Sequence, residues 1–239
     1  MSAYRQSPFS NITPVVKNLL IINVIFFVAS YLLRNVFDMD RWLAVYYFNS
    51  PEFKLWQIIS YMFMHANIMH ILFNMLALFF FGPILEYSVG PKRFLNLYFI
   101  CGIGAILLQW AVQAIQVHNL TGGFVISHPE LKSSYIEYGA NAQRLIEIYF
   151  APVVGASGAI FGLLVAFAML YPNMEMMILF LPIPIKAKYI VPGYILIEIW
   201  SGVGQQSGDN VAHFAHIGGA LFGFLVVKFW RLNRPNNYF

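Results

Sequence analysis

HFAHIGGALFGFLVVKFW, residues 213–230, decides how this chain is to be read. Lys228 is the one Lys, Arg, Asp or Glu in it, and at about 1.5 Å of rise per residue the run nearly crosses a hydrocarbon core of about 30 Å. It opens with His213 and His216 and carries Gly219 and Gly223 four residues apart. Glycines at that spacing let a second helix approach closely, and a histidine at membrane depth is costly enough to mark a site, a pathway or a polar helix contact. A close-packed membrane helix bearing a histidine follows.

The rest of the chain agrees. Charged residues are 10% of the sequence, apolar residues 59%, and the mean hydropathy is +0.66. An ordinary soluble domain carries about a quarter charged residues. The apolar residues gather into six runs, expected as spans at about 16–33, 57–82, 94–116, 151–171, 187–203 and 210–230 of one membrane domain over residues 1–239, an all-α bundle. With both termini cytoplasmic, the inner side receives Arg5, Lys17, Lys92, Arg93, Lys186, Lys188, Lys228, Arg231 and Arg234, the orientation that the positive-inside rule prefers. The basic residues lie at span ends and form no stripe, so the net charge of +4 points to orientation and not to nucleic acid. Cys101 is the single cysteine, which excludes an intramolecular disulfide and a cysteine-rich metal site. Residues 34–56, with Trp42, Tyr46, Tyr47, Phe48, Phe53 and Trp56 among their charges, suit a segment lying in the interface. The 117–150 segment reads as a long mixed loop.

Two further stretches carry polar groups at membrane depth. In HANIMHILFN, residues 65–74, His70 and Asn74 stand four apart and project from one helix face. Such a pair is common as interhelical glue as well as in sites. In GASGA, residues 155–159, Ser157 sits among small residues; alone it would mean helix packing. It is not the Gly-x-Ser-x-Gly elbow of soluble hydrolases, because Gly158 follows the serine directly and no strand precedes it. His213 and His216 could hold a metal, but no His-Glu-x-x-His arrangement is present and a third ligand is missing, so no metal is expected.

Depth joins these features. With the assigned orientation, the second, fourth and sixth spans all enter from outside, which brings His70, Asn74, Ser157 and His216 into the outer half of the bilayer. Gly155, Gly158, Gly219 and Gly223 would let the fourth and sixth spans meet. Peptide hydrolysis needs a nucleophile, a base and donors for a developing oxyanion. His216 can act as base on Ser157, with the Ser157 backbone N–H, His70 and Asn74 as oxyanion donors. No acid reads as oriented on His216, since Glu198 falls mid-span and Asp209 at a span mouth, so the expectation is a dyad. The segment 204–210, GQQSGDN, is expected to act as a movable lid over water entry.

With these residues in view, the chain resembles the rhomboid family of intramembrane serine proteases over about residues 16–230. The likeness rests on His65-x4-His70-x3-Asn74, Gly155-x-Ser157-Gly158, Ala215-His216-x-Gly-Gly with Gly223, and Phe81-Gly82-x3-Glu86. The resemblance implies Ser157 and His216 as the catalytic pair, His70 and Asn74 as oxyanion residues, no metal, and no cofactor. It implies substrates that are single-span membrane proteins cut near the outer face. One departure is Trp56-Gln57, where the family often has tryptophan–arginine. A non-catalytic relative that binds membrane clients, and a transporter or channel using the same polar residues, are the competing classes. The roles of His65 and His213, the substrate and the oligomeric state stay open. No organelle-targeting extension is read before the first span, so a multi-pass protein of a bacterial cytoplasmic membrane is expected, with a eukaryotic organelle as the other possibility.

Overall fold

A carboxylate fixes where the first helix begins. In the computed structural model, which describes residues 12–131, 133–178, 181–204 and 212–233, Glu86 accepts hydrogen bonds from the Val15 and Val16 backbone N–H groups at 3.1 and 2.9 Å and from the Thr13 hydroxyl. A helix N-terminus leaves its first N–H groups without partners, and its dipole favours a negative charge there. Pro14, whose ring presets φ, then opens α1, Pro14–Leu33. The segment after it holds α2, Met39–Leu43, and α3, Gln57–Ser60, followed by a 3₁₀ turn Tyr61–Phe63.

Next come α4, Ile68–Val89, and α5, Pro91–Thr121. They are separated only by Gly90 at φ +83, a conformation that suits glycine. Gly122 at φ +81 ends α5 as a left-handed cap. The chain continues through α6, Ser133–Ile136, α7, Ala142–Phe150, and α8, Ser157–Leu170. An antiparallel hairpin of β1, Glu175–Ile178, and β2, Leu181–Lys186, leads into α9, Ala187–Gly204, and then α10, His213–Phe229. The protein is mostly helical, with that hairpin as its one sheet among the described residues.

α1, α4 and α5 are long and apolar enough to cross a membrane, and α8 and α10 are shorter apolar helices. Side chains such as Ile25, Phe73, Phe80 and Leu107 are exposed on the long helices, an outward apolar surface that suits lipid rather than water.

At the centre α8 and α10 touch backbone to backbone, both packed on α5. A Cβ added at Gly219 would lie 1.8 Å from the Gly158 carbonyl oxygen, and one at Gly223 would lie 2.3 Å from that of Gly162. Gly158 and Gly162 in turn press on Ala105 and Cys101 of α5. Gly158, Gly162, Gly219 and Gly223 are thus positions where a side chain would meet a neighbouring helix. Gly155 does different work, described below.

Several boundaries differ from expectation. Residues 57–67 do not continue the second span; they form α3, the 3₁₀ turn and an extended stretch before Asn67, whose side chain caps α4 by accepting the His70 N–H at 2.9 Å. His70 therefore lies in the first turn of α4, and not deep in a helix that begins at residue 57. Ser157 likewise opens α8, and His216 is one turn into α10. All three stand at the N-terminal ends of their helices, shallower along each helix than expected.

The 117–150 segment is not a plain loop. Tyr135, Leu145, Ile148 and Tyr149 pack with Tyr47, Val117 and Ile126 into a second small core, and Tyr149 donates to Asn49 at 2.7 Å. Between α1 and α4, Trp42 and Trp56 stack, and the buried Gln57 amide donates to the carbonyls of Arg41 and Glu52 at 3.2 and 3.1 Å. Gln57 thus ties loop backbone together. The expected lid segment, residues 204–210, lies outside the described residues beyond Gly204.

Gly219→Ala is expected to lower the detergent-solubilised protein's stability by about 1–3 kcal/mol, the usual range for overpacking. Gly193→Ala, whose Cβ meets nothing within 4 Å, should change it by under about 1 kcal/mol. Thermal unfolding of the two variants side by side checks this, and equal melting points would contradict the backbone contact.

Candidate functional site

The close approach of α8 and α10 brings two polar groups together. Ser157 Oγ lies 2.8 Å from His216 Nε2, within hydrogen-bond range. Phe161, one turn after Ser157 on the same face of α8, stacks flat on the His216 ring, with centroids 4.5 Å apart and planes 8° from parallel. The imidazole is thereby held in one plane with Nε2 facing the hydroxyl.

The other ring nitrogen has a neighbour that the sequence reading missed. Glu198 of α9 places Oε2 2.9 Å from His216 Nδ1 and 2.6 Å from His213 Nδ1. The approach to His213 has hydrogen-bond geometry, whereas the approach to His216 is an ion-pair contact whose angle is off that of a hydrogen bond. This corrects the expectation that no acid is oriented on His216. Glu198 stands in the second half of α9, as its place in the expected span implies, but it faces the N-terminal turn of α10, which spacing along one helix does not reveal.

His70 enters from α4. Its Nδ1 accepts weakly from the Ala66 backbone N–H at 3.4 Å, which assigns the proton to Nε2. That Nε2 points at Gly155: a Cβ there would lie 2.7 Å from it and 3.4 Å from Ser157 Oγ. Gly155 has φ +127, which side chains rarely adopt, and its N–H donates to the Tyr61 carbonyl at 2.9 Å. Its bare Cα thus keeps open the space between the His70 ring and Ser157 Oγ, which a side chain would fill.

Asn74 is buried one turn further along, and its amide donates to the His70 carbonyl at 3.0 Å. One of its two N–H bonds is used there and the other is available. His65 is buried and packs edge-on against the His70 ring at 5.1 Å.

Ser157 is the first residue of α8, and the first bond across that helix start is Ile160 N–H to the Ala156 carbonyl. The Ser157, Gly158 and Ala159 N–H groups thus belong to the unpaired first turn, where the helix dipole favours negative charge. His70, Asn74, Gly155, Ser157 and His216 line one cleft. The arrangement offers a hydroxyl nucleophile, a base against it, a carboxylate behind the base, and N–H donors beside the hydroxyl, the parts of an acyl-transfer site.

Comparison with known proteins agrees in kind. A Rhomboid domain model matches residues 52–232. The chain is 31% identical to the rhomboid protease AarA of Providencia stuartii over 72% of this chain and 54% of that protein. It is 28% identical to a mitochondrial rhomboid protein of Schizosaccharomyces pombe, covering 77% and 54%, and 28% identical to the mitochondrial rhomboid protein 1 of Saccharomyces cerevisiae, covering 70% and 40%. The chain spans about half the length of the curated relatives it matches. An integral membrane protein stands; the bacterial cytoplasmic membrane finds no support, since two of these relatives are named as mitochondrial.

Gly155→Ala should keep the helical content but slow labelling of Ser157 by a fluorophosphonate at least about tenfold, through displaced His70 and a strained turn. Labelling rates measured by mass spectrometry decide it, and an unchanged rate would remove the Gly155–His70 contact from the site.

Proposed function

The chain belongs to the rhomboid family, and from that premise we propose that it is an intramembrane serine endopeptidase cleaving transmembrane segments of single-span membrane proteins. The observation that carries the reading is the 2.8 Å contact between Ser157 Oγ and His216 Nε2 at the N-terminal ends of two packed helices. The protein acts as one membrane domain of six spans with both termini cytoplasmic: α1, α4, α5, α8, α9 and α10 are the crossing elements.

Ser157 Oγ attacks the scissile carbonyl while His216 Nε2 takes its proton. The developing oxyanion is met by the Ser157 backbone N–H, the His70 Nε2–H and the remaining N–H of Asn74. His216 then gives the proton to the leaving amine, the Ser157 ester forms, and water activated by the same nitrogen hydrolyses it. Glu198 is a positioning residue: facing Nδ1, it favours the tautomer with the proton on that nitrogen, which leaves the Nε2 lone pair for Ser157. Phe161 holds the ring plane. Neither metal nor cofactor takes part in the hydrolysis.

Purified protein in detergent or liposomes, given a panel of single-span substrates, should cut at least one. Ser157→Ala and His216→Ala should abolish turnover, Asn74→Ala should cost roughly a hundredfold, about the loss of one oxyanion donor, and Glu198→Gln should lower kcat/KM at least about tenfold. Cleavage that survives Ser157→Ala would defeat the mechanism. Failure of the wild type to cut any substrate or to react with a serine-directed probe would favour the client-binding relative.

A further inference from the structure

Glu198 faces two imidazole nitrogens with one oxygen, more than orientation of a base requires. One ligand atom from each of Glu198, His213 and His216 lies within 4.8 Å of the others, and the carboxylate faces Nδ1 of both histidines. The two histidines stand three apart on one face of α10, and the carboxylate arrives from α9, a third ligand that no spacing within α10 could reveal. We propose that Glu198, His213 and His216 form a reversible site for a divalent transition cation of the zinc class, and that its occupancy switches the serine off; the switching half rests on the protease reading above.

Two imidazoles and one carboxylate, with a fourth position left for water, form a recognised zinc donor set. Nitrogen and oxygen donors of this kind also accept cobalt and nickel, whereas magnesium and calcium prefer oxygen alone. All three side chains are only 12–14% exposed, and the two histidines line the cleft that holds Ser157, so an ion has both a low-dielectric seat and an entry path. The present Glu198 contacts of 2.6 and 2.9 Å are proton-sized. Zinc-to-ligand distances of about 2.0–2.2 Å in a tetrahedral shell hold donors roughly 3.3 Å apart. The carboxylate therefore backs away by roughly half an ångström while the two imidazole nitrogens, within 4.8 Å of each other, close on the ion.

The consequence for chemistry is a tautomer reversal. With Nδ1 bound to the cation, neutral His216 carries its proton on Nε2. The nitrogen facing Ser157 Oγ then donates instead of accepting, and it cannot take the hydroxyl proton. As the ion binds, the Nδ1 proton leaves to solvent and solvent returns one to Nε2, so His216 keeps a single proton; removing the ion reverses the exchange and restores the base. His213, which the hydrolysis does not use, acquires a function as the ligand that makes the site tight.

The test uses the full chain in detergent, stripped with EDTA, and titrates Zn2+ by calorimetry while Co2+ is followed by its visible absorption. Wild type and Ser157→Ala are expected to bind one ion each with equal, micromolar affinity, and His213→Ala and His213→Gln to weaken binding at least about tenfold. Cleavage is read as the ratio of zinc-treated to EDTA-treated rates within each protein, so that changes in basal rate cancel. That ratio should fall at least tenfold for wild type at saturating zinc, recover with EDTA, and stay near one for the His213 variants at the same zinc concentration.

The absence of saturable binding below about 1 mM, or binding that is untouched by both His213 variants and so lies elsewhere, such as at exposed His128, would overturn the site. Binding as expected with a cleavage ratio near one would overturn the switch. Binding as expected in a protein that cuts nothing would instead defeat the protease reading and leave the ion site standing.

Discussion

The approach of α8 to α10, glycine against backbone carbonyl, is the constraint on which the rest depends. Between two helices in lipid there is no hydrophobic gain from association, so attraction must come from dispersion over a close surface and from polar contacts. Gly158 with Gly219 and Gly162 with Gly223 allow that surface to form along two turns, and α5 backs it through Ala105 and Cys101. Side chains at these positions would separate the axes, and the 2.8 Å contact from Ser157 to His216 would open with them. Stability and chemistry therefore share one seam.

At one end of that seam the helices begin rather than pass. α4, α8 and α10 all present their N-terminal turns at one level, with His70, Ser157 and His213 or His216 on them. Helix starts supply unpaired N–H groups and a favourable potential for negative charge without spending a side chain. α9, running the other way, delivers Glu198 from its second half. A carboxylate close to an imidazole in a partly buried site interacts more strongly than it would in water, so the place of Glu198 beside Nδ1 bears on the whole ring.

Much of this was legible in the sequence because membrane depth makes polar residues conspicuous. Ser157, His216, His70 and Asn74 stand out in apolar runs, and glycines four apart announce contact. Glu198 was misread, since its rotation and level depend on how α9 packs, which no spacing within one helix reveals. The late start of α4 was available in principle from Asn67, a helix cap three residues before His70, but an apolar stretch from residue 57 hid it. The short α7 also carried a signal, Leu145, Ile148 and Tyr149 at helical spacing, too brief to outweigh the polar residues around it. The β1–β2 hairpin was lost for a related reason: Pro182 and Pro184 argue against a strand, yet a two-stranded ribbon is all edge and tolerates them.

The central claim is that one hydroxyl, one base and one set of N–H donors form a single acyl-transfer site across helices α4, α8 and α10. An experimental structure of the protein after reaction with an alkyl phosphonate tests it most directly. The account predicts a bond from Ser157 Oγ to phosphorus, with the phosphoryl oxygen about 2.7–3.1 Å from the Ser157 N–H nitrogen and from His70 Nε2. A phosphoryl oxygen turned away from both donors, or an adduct on any other residue, would contradict it.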